Sequence, residues 1–123
     1  MQNDKFVSNY HNLKVFQKTY VVSMDIHQSS LGFPKIEQFA LADQLRRSSK
    51  SVCANIVEGY GRQRQSKTEF KRFLMIAIGS AEETTLWLKY ALDLSYITLL
   101  HHDNLQAEYI SIIKMLHSMR NKS

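Results

Sequence analysis

The side chains best suited to meet a ligand are basic, and most of them fall in one stretch. Arg46, Arg47, Lys50, Arg62, Arg64, Lys67, Lys71 and Arg72 lie between residues 46 and 72, against two acids, Glu58 and Glu69. That stretch carries +6, and the other eight bases and nine acids sum to −1, so the whole excess of +5 belongs to it. A localised patch of this sign attracts phosphate backbones and other polyanions; the alternative is a solvated, solubilising surface. Arg46 and Lys50 are four apart, as are Lys67 and Lys71, so each pair shares a helical face. Phosphate contact would fall chiefly to Arg62, Arg64, Lys67 and Lys71. Arg47 could instead turn inward toward Glu58 or Glu83. Nothing in the pattern suggests base-specific reading.

A second group is Asn55, Glu58, Gly59 and Gly61. Asn55 and Glu58 are three apart and share a face, which allows a polar site for a ligand or partner. The structural alternative is that they satisfy backbone groups or Arg47 at a helix end, as buried polar groups normally do. Tyr60 packs at the turn or stacks on a base. The histidines 11, 27, 101, 102 and 117 show no metal spacing and are expected at the surface. Cys53 has no evident base beside it and is expected as a small buried side chain. A single cysteine excludes an internal disulfide and a cysteine-based zinc site. No P-loop, G-x-G-x-x-G or G-x-S-x-G is present. The expectation is therefore no catalytic residues, no metal, no cofactor and no enzyme activity.

The elements that must position these residues have a helical period. The chain of 123 residues, 44% hydrophobic with one proline and four glycines, suits a single all-α domain spanning 1–123. The spacing predicts helices over roughly 13–31, 37–58, 66–94 and 103–120. The first has a stripe of Leu13, Phe16, Tyr20, Met24 and Leu31, closed by Gly32-Phe33-Pro34. The second aligns Leu41, Leu45, Ser48, Val52 and Ile56, with Gly59 and Gly61 as its C-terminal cap. The third starts with a capping box at Ser66 and Glu69 and aligns Phe70, Phe73, Ala77, Ala81, Thr84, Leu88 and Ala91. Asp93 to His102 reads as a turn. The fourth aligns Leu105, Tyr109, Ile112, Leu116 and Met119. Four helices with short connections predict an antiparallel up-and-down four-helix bundle. The ends, before about Tyr10 and after about Arg120, are expected to fray.

The third helix carries another apolar row, through Ile76, Gly79, Glu83, Trp87 and Tyr90. A helix apolar on two sides must bury both, and the outer row points to an oligomer interface with close approach at Gly79. The alternative is that Trp87 and Tyr90 cover loops of the same chain. The polar residues Met1 to Lys5 and the lack of a long apolar run lead us to expect a soluble, cytoplasmic protein with no membrane partner.

Leu45 through Ile97 resembles the four helix bundle protein family, also called the 23S rRNA intervening-sequence proteins. The likeness rests on Arg46-Arg47, Ser51-Val52, Asn55-Ile56 and Glu58-Gly59-Tyr60-Gly61. It opens at Leu13-Lys14-Val15-Phe16-Gln17-Lys18 and extends into the fourth helix. Cys53 stands where the family motif often has proline. The resemblance implies a bacterial four-helix bundle assembled as a ring-like homopentamer. More distantly, the chain is similar to the accessory protein of diversity-generating retroelements, a basic pentameric barrel that works with a reverse transcriptase and RNA. Self-association, RNA or DNA, and a protein are the partners to expect. The leading expectation is a non-enzymatic basic scaffold that binds nucleic acid. The alternative is a protein-interaction or structural oligomer with no nucleic-acid role.

Overall fold

The computed structural model describes residues 9–123. Four helices, α1 (Lys14–Leu31), α2 (Leu41–Arg62), α3 (Lys67–Asp93) and α4 (Leu99–Asn121), follow one another, with single 3-10 turns at Asn9–Asn12 and Lys35–Glu37. No strand occurs among the described residues. Each helix packs against the next in sequence, and α1 closes the square against α4. With connections this short, neighbours run antiparallel, which makes an up-and-down bundle. Met1 to Lys5, and all but Asn9 of the stretch expected to fray before Tyr10, lie outside the described residues. At the other end α4 stays helical to Asn121.

α1 turns a different face to the core than its large apolar residues suggest. Its buried residues are Val15, Thr19, Val22, Ser23, Ile26 and Ser30, whereas Tyr20, Met24 and Leu31 are 51%, 41% and 57% exposed. The physical reason is that the three hydroxyls need no outside partner. Thr19 Oγ1 donates to Val15 O (2.6 Å), Ser23 Oγ to Tyr20 O (2.8 Å) and Ser30 Oγ to His27 O (2.8 Å). Hydroxyls satisfied by their own helix can face a core and let it pack closely.

α2 buries Leu41, Leu45, Ser48, Val52 and Ile56, the face its period predicts. It does not stop at Gly59. The helix continues through Gly59 and Gly61 to Arg62, and no glycine has a positive φ. Gly59 serves close approach instead of capping. A Cβ there would lie 3.1 Å from Phe73 Cβ and 3.4 Å from Phe70 O on α3. Gly61 meets nothing within 4 Å.

α3 starts where expected, with Ser66 Oγ accepting from Glu69 N at 3.1 Å. The reciprocal arm of the capping box is not made: Ser66 N donates to Arg62 O (2.9 Å) and the Glu69 carboxylate turns to Arg72. Its buried residues are Phe70, Leu74, Ala77, Ile78, Ala81, Thr84, Leu88 and Ala91, whereas the expected Phe73 is half-buried, held at the edge under Arg62 and Arg72. α4 begins at Leu99, four residues before the predicted start. Thr98 caps it, its Oγ1 accepting from His101 N at 3.1 Å, and Ser95 (φ 64°) makes the turn that frees Thr98 for that role. Leu105, Tyr109, Ile112 and Leu116 are its buried stripe. Full burial of each Leu or Ile in this core stabilises by roughly 1.5–3 kcal/mol.

Candidate nucleic-acid interface

Up-and-down topology gathers bases that are far apart in the chain. The α2–α3 connection, the start of α1 and the end of α4 share one end of the bundle; Lys14 and Val15 border the same hollow as Met115, Ser118 and Met119. Within two turns of that end, links and tail included, the described residues carry ten bases. These are Lys14, Lys18, Arg62, Arg64, Lys67, Lys71, Arg72, Lys114, Arg120 and Lys122; the acids are Glu58 and Glu69, leaving +8. The same span at the opposite end holds four bases (Lys35, Arg46, Arg47, Lys89) and five acids (Asp25, Glu37, Asp43, Asp93, Asp103), leaving −1. Sequence reasoning missed Lys14, Lys18, Lys114, Arg120 and Lys122. The signal available was topological: in such a bundle both chain ends return to the α2–α3 side.

Both acids at the basic end are paired within it. Arg72 grips Glu69 with two bonds, Nε to Oε2 (3.1 Å) and Nη2 to Oε1 (3.0 Å). The Arg72 hydrogen bond holds the Glu69 carboxyl below its ordinary range. Arg62 lies 3.5 Å from Glu58. The guanidinium carbons of Arg62 and Arg72 also lie 5.4 and 4.5 Å from the Phe73 ring centroid. Lys18 is bridged to Glu108 at 2.9 Å. Lys67 and Lys71 carry no ion pair among the described residues.

The other three predicted bases stand apart. Because α2 runs on to Arg62, Lys50 lies twelve residues, or about 18 Å, up the helix from it, and Arg46 about 24 Å. Arg46 is turned into the chain. It donates from Nη1 to Ser30 Oγ (2.8 Å) and Gln38 Oε1 (3.2 Å), and from Nη2 to Gln38 O (2.7 Å). Arg46 therefore belongs to the joint between α1 and α2, not to a surface that could grip phosphate. Arg47 pairs neither with Glu58 nor with Glu83. Its side chain is 77% exposed and lies 3.9 Å from Asp43. Glu83 instead accepts from Trp87 Nε1 at 2.9 Å. Lys50 is exposed, on the α1 side of α2.

Asn55 is bonded within its own helix. Its Nδ2 donates to Ser51 O (2.8 Å) and Ser51 Oγ (3.1 Å), and Ser51 Oγ meets Ser80 Oγ at 2.9 Å. Thr84 Oγ1 adds bonds to Ser48 Oγ (2.9 Å) and Ser80 O (2.8 Å). These small polar residues form a satisfied seam that lets α2 and α3 approach. Beside it, Gln44, Arg47, Ser51, Ser80 and Glu83 line a polar hollow of about 460 Å³. Glu58 is exposed, and Gly59 and Gly61 act through the backbone.

The outer row of α3 is open. Tyr90 is 51% and Ile76 38% exposed; Gly79 and Glu83 are exposed, and Trp87 packs in part against the core. Two expectations of burial change. His102 is buried, its Nδ1 3.0 Å from Asp103 Oδ1, because α4 starts early enough to turn it inward. Cys53 is only half-buried, 3.8 Å from Ser23 Oγ, and burial pushes its thiol pKa up. Among the described residues no group of three or more His, Cys, Asp or Glu could hold a metal, and no helix is long and apolar enough to cross a membrane.

The bundle is similar to the crystal structure of a protein of unknown function from the S23 ribosomal protein family of Bacteroides thetaiotaomicron VPI-5482. The TM-score is 0.78, with 29% identity, 87% of this chain and 95% of that chain covered. No curated protein matches the chain. The 23S rRNA-intervening sequence proteins match it over residues 11–118, from before α1 nearly to the end of α4. The chain thus belongs to the 23S rRNA-intervening sequence protein family.

Proposed function

We propose that this protein is a non-enzymatic scaffold that holds RNA, in preference to DNA, through phosphate contacts at the basic end of its bundle. The observation that carries the reading is the +8 at one end against −1 at the other. A field this one-sided favours a polyanion, and the family's tie to ribosomal RNA favours RNA. The contacts fall to Arg62, Arg64, Lys67 and Lys71, aided by Lys14 and Lys122. We further propose a homo-oligomer, a pentamer as the family resemblance implies, with the exposed outer row of α3 between subunits. Such an assembly would multiply the basic ends on one particle.

Fluorescence anisotropy of nuclease-treated protein against labelled structured RNA and duplex DNA, at several salt concentrations, tests this. Affinity should fall linearly in log salt, with a slope near 0.7 to 0.9 per phosphate engaged. Charge reversal at Arg62, Arg64, Lys67 and Lys71 should abolish binding; unchanged affinity would overturn the reading.

A protein-interaction oligomer is the second reading. It is favoured by the opposite end of the bundle, where Ile36, Phe39 and Leu100 are 86%, 97% and 72% exposed. A partner that stays bound after nuclease treatment, with no RNA affinity at low salt, would support it.

A further inference from the structure

The groove between α1 and α2 combines aromatic and cationic side chains, and of its rings only Phe16 also packs against the core. Tyr10, Phe16 and Tyr20 form one wall, and Lys50, Cys53 and Val57 form the other, around about 430 Å³. The rings are continuous. Tyr10 meets Phe16 edge-on at 5.0 Å, and Phe16 stacks on Tyr20 at 5.8 Å with 25° between planes. Tyr20 leaves half its surface open. Helices α1 and α2 are antiparallel, so the Tyr10 end of the groove opens at the basic end of the bundle.

One cation stands directly in this row's groove, and the basic end of the bundle lies below it. Lys50 lines the upper part. At the lower part stands Glu58; Arg62, its guanidinium toward Phe73 of α3, lies outside the lining and 3.5 Å behind Glu58. That contact neutralises Glu58, the one carboxylate among the described lining residues. Cys53 adds no negative charge, since burial keeps its thiol protonated. Along α2, Lys50 stands about 18 Å from Arg62 and the basic end, and the aromatic row runs down toward that end. An aromatic row with an open ring beside positive charge is an arrangement that takes unpaired nucleic acid, because every base offers a π-face while its phosphates follow the cations. A duplex cannot use it, since its bases are already stacked on one another.

We propose that this groove seats unpaired nucleotides of the bound RNA, with a base against the open face of Tyr20 and phosphates following Lys50 toward the basic end. The proposal rests on the nucleic-acid reading above and sharpens it: the basic end holds backbone of any kind, and the groove selects single-stranded segments.

The test compares a labelled oligouridine with a blunt RNA duplex of equal phosphate number, both titrated with full-length protein at several salt concentrations. Tyr20→Leu keeps an apolar side chain at an exposed site. It should weaken oligouridine binding about tenfold at unchanged salt slope and leave duplex binding as it was. Lys50→Gln should lower the oligouridine slope by about 0.7 and leave the duplex slope unchanged. Equal affinity for both RNAs, with Tyr20→Leu and Lys50→Gln affecting neither while charge reversal at the basic end still abolishes binding, would overturn the groove and keep the general reading. Loss of neither RNA on charge reversal would overturn both. A changed oligomeric mass for Tyr20→Leu with unchanged RNA affinity would make the groove a subunit contact and overturn the proposal.

Discussion

At one end of the bundle Arg62, Arg64, Lys67, Lys71 and Arg72 surround a four-residue link between two helices; at the other, Arg46 is drawn into the chain. The difference lies in what the neighbouring backbone requires. The α2–α3 link satisfies itself: Ser66 caps α3, and Gln65 N and Ser66 N both donate to Arg62 O at 3.1 and 2.9 Å. The α1–α2 connection is longer and leaves carbonyls over. Gln38 Nε2 reaches Ser30 O (2.9 Å) and Phe33 O (3.1 Å), and Arg46 takes Gln38 O. Tyr96 Oη then ties the α3–α4 turn to Glu37 Oε2 at 2.9 Å. Bases of the same kind thus become surface or scaffold according to whether nearby backbone acceptors are already met.

The strongest way to break this comparison is to reverse the charge at Arg62, Arg64, Lys67 and Lys71. Polyanion affinity should fall by at least a hundredfold at moderate salt, while the melting temperature barely moves, since exposed charges contribute little to stability. Arg46→Ala is the mirror experiment. Gln38 O and Ser30 Oγ would lose a charged donor, so denaturant unfolding should show a loss of about 2–3 kcal/mol. RNA affinity should stay within twofold; a large fall would return Arg46 to the binding surface.

Gly59 and Gly61 sharpen the contrast on a smaller scale. Gly59→Ala places a Cβ 3.1 Å from Phe73 Cβ, and crowding of about 1–3 kcal/mol should outweigh the roughly 1 kcal/mol gained in helix propensity. Gly61→Ala, in open space, should stabilise by about 0.5–1 kcal/mol. Thermal melts of the two variants should move in opposite directions.

The smallest effect concerns the middle of the bundle, between the two ends. Tyr109 is wholly buried and its hydroxyl has no partner among the described residues. Burial, with Asp25 and, once it ionises at alkaline pH, Cys53 adding to it, pushes its pKa above the usual 10.0. A folded-state pKa raised above the unfolded one gives stability that is fully present below about pH 10 and is lost as pH rises further. Tyr109→Phe should therefore be close to neutral at pH 7 and should flatten the alkaline decline seen in the wild type. An unfolding titration in urea from pH 8 to pH 11 measures both.

The sequence alone determined the number of helices, the core faces of α2, α3 and α4, the Ser66 cap and the segment that holds the basic cluster. Each rests on local periodicity or on a side chain bonding within a few residues, so no distant partner has to be known. The tertiary structure alone decided the face of α1, because a helix that satisfies its own hydroxyls can bury Thr19 and Ser30 and leave Tyr20 outside. It decided that Gly59 marks a helix crossing and not a helix end, since only Phe70 and Phe73 show how near α3 comes. It also separated Arg46 from the other bases and brought Lys14, Arg120 and Lys122 to them. Charge and hydrogen-bond demand are summed over space, and the chain's own order does not record which ends of its helices will meet.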